Sequence, residues 1–164
     1  MKNFGVNNYR SDDMGYESLL EYADEINVCV KEAPLYMRDG SIKDRNIAIR
    51  KDIPTLKEKY CVLAEELGHY QMNVGDITNL NDYRNYKQEL QGRHWGYNRT
   101  VGLLGIIRAF ERGCKSIYEM ADFLNVTEPY LIEALEWYKS KYGIYTKVDN
   151  YIIYFQPLIV GKII

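Results

Sequence analysis

A chain of 164 residues with 46% hydrophobic and 27% charged side chains, and a formal net charge of −2, can bury one good core and is too balanced to be disordered or to coat nucleic acid. Its three cysteines, Cys29, Cys61 and Cys114, are odd in number, far apart and without a CxxC pair. That spacing excludes a structural zinc ribbon and fits reduced thiols in a cytoplasm. No apolar run approaches the roughly 20 residues that cross a bilayer, and the opening MKNFGVNNYRSDD lacks the apolar stretch of a signal peptide. The expectation is a cytoplasmic protein with no membrane partner.

After a polar lead-in, Leu19, Leu20, Ala23, Ile26 and Val30 recur at helical spacing and predict an amphipathic helix over 16–30. Residues 33–53 change texture: the turn pair Asp39-Gly40 and the alternation of Ile47 and Ile49 with polar neighbours predict a short antiparallel hairpin or meander. Pro54 closes that region, Thr55 is a natural cap, and Leu56, Tyr60, Leu63, Leu67 and Tyr70 form the stripe of a second helix. A loop over 71–81 is followed by helical periodicity over 83–97. An apolar helix over 101–112 stops at Gly113, and two further helices, 116–124 and 127–142, flank the turn Asn125-Val126-Thr127. Thr127 suits an N-cap, Pro129 the first turn and Gly143 the C-terminal stop. Asp149-Asn150, between β-favouring runs, predicts a terminal hairpin.

The second helix carries CVLAEELGHY, residues 61–70. Glu65 and His69 are four apart and project from one helix face, where both can reach one divalent cation. Zinc accepts carboxylate oxygen as well as imidazole nitrogen, and a catalytic site uses three protein ligands. Glu66, three residues before His69, has the placement of a general base. Gly68 costs this helix about 1 kcal/mol relative to alanine, so it needs a packing or functional reason, such as close approach of a neighbouring backbone. With only His69 and His94 in the chain, the third ligand falls to a carboxylate, and Glu89 on the following helix is the best placed. Against this stands a bland alternative: an EE pair on a solvated helix face, a packed histidine, and Glu89 paired with Arg93 at i+4.

The order of helix, hairpin, NIAIRKDI and EKYCVLAEELGHY resembles the ImmA/IrrE family of metallo-endopeptidases, whose active-site helix carries HELGH. Glu89, Gly92, Trp95 and Gly96 look like that family's E-x-x-A-x-x-F-A pattern, with glycine twice in place of alanine. The chain departs from the family at Glu65, giving EExxH for HExxH, as in a phage and mobile-element branch. The resemblance covers roughly residues 16–97 and implies an α+β, zincin-like metallopeptidase core of helices on a small antiparallel sheet. On that reading 1–98 form the metallopeptidase domain and 99–164 a helical, helix-turn-helix-like subdomain with a terminal hairpin. It further implies Glu65, His69 and Glu89 as metal ligands, Glu66 as the base that activates water, and zinc as the metal. Its implied partner is a protein substrate, a helix-turn-helix repressor of a prophage or mobile element, which the enzyme cleaves.

Three carboxylates around one ion would carry more negative charge than a His-His-Glu site, which favours manganese and other oxygen-preferring cations. Tyr70 and Tyr97 are candidates to steady an oxyanion, and Cys61, one turn before Glu65, is within reach of the ligands' surroundings. Two other functions compete. One is a catalytically inactive protease-like protein that binds a repressor or other partner. The other is direct DNA binding through 116–142, which the charge opposes: Glu128, Glu133 and Glu136 outnumber Lys139 and Lys141 on the second helix, and Glu119 and Asp122 precede them.

Overall fold

A short run of local signals sets the start of the chain's core. In the computed structural model, which describes residues 14–72 and 82–163, helix α1 (Tyr16–Glu25) buries Tyr16, Leu19 and Ala23. It ends five residues short of the expected Val30 because Asn27 turns left-handed (φ 57). The Asn27 N–H then bonds Asp24 O at 2.9 Å and the Val28 N–H bonds Ala23 O at 2.8 Å, capping the last carbonyls. The β-branched Val30 therefore lies in strand β1 (Cys29–Ala33) rather than in a helix.

Strands β2 (Gly40–Lys43) and β3 (Asn46–Arg50) make the expected hairpin, but its turn is Asp44-Arg45, between the paired residues Lys43 and Asn46. Asp39-Gly40 instead opens β2, where Asp39 pairs with Arg50 at 2.9 Å. The sheet order is β1-β3-β2, with β1 parallel and β2 antiparallel to β3. The sheet is thus mixed, not antiparallel as expected. Residues 34–39 carry the chain from β1 past β3 to the opposite edge, so β1 and β3 run the same way. Ile47 and Ile49 of central β3 are buried.

Helix α2 (Leu56–Met72) begins on a reciprocal capping box: the Glu58 N–H donates to Thr55 Oγ1 at 3.2 Å and the Thr55 N–H to Glu58 Oε2 at 3.0 Å. Tyr60, Leu63, Ala64 and Leu67 are buried, whereas the expected stripe members Leu56 and Tyr70 are exposed and partly buried. Its partner α3 (Asp82–Thr100) crosses at glycine. A Cβ on Gly68 would stand 2.0 Å from the Gly92 carbonyl oxygen, and one on Gly96 3.2 Å from that of Ala64. The helix-propensity cost of these glycines is the condition for the two backbones to touch. The expected loop over 71–81 begins later, because α2 runs on through Met72; its remainder, 73–81, lies outside the described residues.

Helices α4 (Gly102–Glu111) and α5 (Ile117–Phe123) end on left-handed Gly113 and Asn125, each closed by the same pair of capping bonds. Helix α6 (Glu128–Tyr142) starts on Thr127, whose side chain accepts the Tyr130 N–H, and stops at Gly143 (φ 81). Strands β4 (Tyr145–Val148) and β5 (Tyr151–Phe155) turn at Asp149-Asn150 as predicted. A further strand, β6 (Leu158–Lys162), extends the expected hairpin into a three-stranded antiparallel meander, β4-β5-β6. The class is α+β. Buried residues from both ends, Leu19, Leu63, Leu131 and Ile153 among them, belong to one cluster, and the expected division at 98/99 falls inside the last turn of α3.

Candidate metal centre

The glycine crossing decides where the polar side chains of α2 and α3 meet. With Gly92 in place of a larger residue, the His69 ring lies against the α3 backbone: a Cβ on Gly92 would be 2.3 Å from His69 Nδ1. His69 Nε2 is then turned to Glu89, 3.3 Å from its Oε2. Glu65, one turn back on α2, completes a group in which one ligand atom from each of Glu65, His69 and Glu89 lies within 4.8 Å of the others. The three predicted ligands converge, although they come from two helices separated by residues outside the described set.

They line a cleft of ≈ 500 Å³ between the two helices and strand β2. Glu66 lines it too, with its carboxylate packed against the first residue of β2: a Cβ on Gly40 would be 2.5 Å from Glu66 Oε1. Gly40 is therefore the residue that gives Glu66 its place.

The electrostatics are those of carboxylates crowded out of water. Burial, with Glu65 and Glu89 nearby, pushes the Glu66 carboxyl up to about 7 against the pull of Arg38. Burial also raises Glu65, opposed by Arg93 and reinforced by Glu89 and Glu133. Burial lowers His69, against the attraction of Glu89. A histidine held neutral offers a lone pair, so burial favours the ligating form. Carboxylate oxygens of the partly buried Glu65 and the exposed Glu89 and an imidazole nitrogen of His69, all within 4.8 Å of one another, are a donor set that could hold a divalent cation.

Two arginines complete the site. Arg93 Nε lies 2.6 Å from Glu65 Oε1 and 3.3 Å from Glu89 Oε1, and Arg38 joins Arg93 in the lining. The i+4 pair of Glu89 with Arg93 and the convergence of Glu89 on His69 are thus both present, and they are not alternatives. The E-x-x-x-R spacing signalled Arg93. Arg38 had no sequence signal, because its position depends on where β2 begins.

Other expectations fail on geometry. The Tyr97 hydroxyl is buried and donates to Glu133 Oε2 at 2.9 Å, and neither Tyr97 nor Tyr70 lines the cleft. Burial pushes the Cys61 thiol up to about 11 against the pull of its hydrogen bonds with Thr127, and it too is absent from the lining. His94 packs on Trp137, ring centroids 4.5 Å apart and nearly parallel. The chain matches no known family model and no curated protein sequence.

Proposed function

We propose that the protein is a metal-dependent endopeptidase with a zincin-like centre, and that its substrate is a helix-turn-helix repressor of a prophage or mobile element. The observation that carries this reading is the convergence of Glu65, His69 and Glu89 beside the carboxylate of Glu66 in one cleft. A divalent ion held there supplies Lewis acidity and lowers the pKa of water. Glu66, with its raised pKa, takes the proton from the attacking water and later hands it to the leaving amine. Among the lining residues, Arg38 is placed to steady negative charge on the scissile carbonyl oxygen.

A protein substrate suits the cleft's wall. β2 is an edge strand, and its residues Gly40, Ser41 and Ile42 line the cleft. An extended peptide can pair with that edge, which carries no strand among the described residues, and so be held across the site in register. The helices α5 and α6 serve as a packing module rather than a DNA reader, since α6 carries more acidic than basic charge.

The test is incubation of the zinc-loaded protein with the repressor, read by mass spectrometry of new termini. Discrete cleavage that a chelator abolishes is expected. A repressor that stays intact yet co-elutes with the protein would favour the non-catalytic binding reading.

A further inference from the structure

Arg93 contacts both carboxylate members of the cluster, and it does so on one side. Its Nε lies 2.6 Å from Glu65 Oε1 and 3.3 Å from Glu89 Oε1, while the other oxygen of Glu89, Oε2, lies 3.3 Å from His69 Nε2. The two oxygens of Glu89 are thereby divided: one is held by the guanidinium, the other faces the imidazole. Arg93 lines the cleft with its side chain 43% exposed, so it is not needed to fill the core.

We propose that Arg93 is a positioning residue that sets the metal preference of the site. This rests on the reading of Glu65, His69 and Glu89 as ligands. A guanidinium on the Oε1 atoms leaves each carboxylate a single oxygen for an ion, so each would bind through one oxygen and few protein oxygens would be offered. Zinc accepts that arrangement, whereas manganese favours more oxygen ligands. The charge points the same way. Glu65 and Glu89 with Arg93 carry a formal charge of −1, the value of a His-His-Glu set, so a Glu65–Arg93 pair is equivalent in charge to the neutral imidazole of HExxH. The shift toward manganese expected from the glutamates alone is offset by this arginine.

The test is Arg93→Met, with Zn²⁺ and Mn²⁺ affinities measured by competition titration and the visible spectrum recorded with Co²⁺. Without the guanidinium both carboxylates are free to chelate through two oxygens. Mn²⁺ affinity is expected to rise relative to Zn²⁺ by at least about tenfold, the scale on which residues behind the ligands act. The intense Co²⁺ bands of a four-coordinate wild-type site should weaken as the coordination number rises. Affinities for both metals that change by the same factor, with an unchanged Co²⁺ spectrum, would make Arg93 a mere competing charge and overturn the proposal while leaving the metal centre standing. Wild-type protein that takes up none of the three ions would overturn the metal centre itself.

Discussion

Glu66→Gln is expected to lower peptide hydrolysis by about 10²- to 10⁴-fold, the usual contribution of a general base, and at the same time to stabilise the metal-free fold. Both effects come from the same burial. Burial pushes the Glu66 carboxyl up to about 7 in the folded protein, from the 4.5 of a free glutamate, so between those values the native state holds a proton that the unfolded chain has released. Stability is therefore fully present below pH 4.5, falls as pH rises, and levels off above about 7. The loss is on the order of 2–3 kcal/mol after allowance for partial exposure. Glutamine has the same shape and no charge to desolvate. In chelator, Glu66→Gln should melt about 4–12 °C above wild type at pH 8, with the gap closing toward pH 5. A gap that does not change with pH would show that the Glu66 carboxylate is not desolvated as described.

The second large effect concerns the helix crossing. A Cβ on Gly68 meets the Gly92 carbonyl oxygen at 2.0 Å, a backbone atom that cannot rotate away. Gly68→Ala must push α2 and α3 apart, at a cost of roughly 2 kcal/mol or more even after the helix-propensity gain of alanine. Metal affinity should fall with it, because Glu65 and His69 ride on α2 and Glu89 on α3. Gly161→Ala, whose Cβ would meet nothing within 4 Å, is the control and should shift stability by less than about 0.5 kcal/mol. Urea unfolding of the two variants makes the comparison. Equal, small effects would mean that the helices do not depend on glycine for their approach.

The helices were legible because their signals are local: Thr55 and Thr127 cap, Gly113 and Gly143 stop, and the apolar stripe of α2 repeats at helical spacing. The α1 stop was missed because asparagine does at position 27 what glycine does more often. The mixed sheet was missed for a different reason, since strand direction depends on where a connection crosses and not on the strand's own residues. The four polar residues Glu65, Glu66, His69 and Glu89 could be named in advance because three share one helix face or its margin, and the pattern around Glu89 pointed to the fourth. What the sequence could not reveal was the surroundings. Arg38 enters the cleft from the start of β2, and Tyr97, adjacent in pattern to Glu89, turns instead to Glu133 on α6.

The most direct measurement is the zinc content of the purified protein after metal loading and gel filtration, by elemental analysis, for wild type beside His69→Ala. The wild-type chain should retain close to one zinc per chain, and His69→Ala, which removes the one nitrogen donor from the group, should retain almost none. A wild-type protein that keeps no metal, or a variant that keeps as much as wild type, would contradict a metal centre built from Glu65, His69 and Glu89.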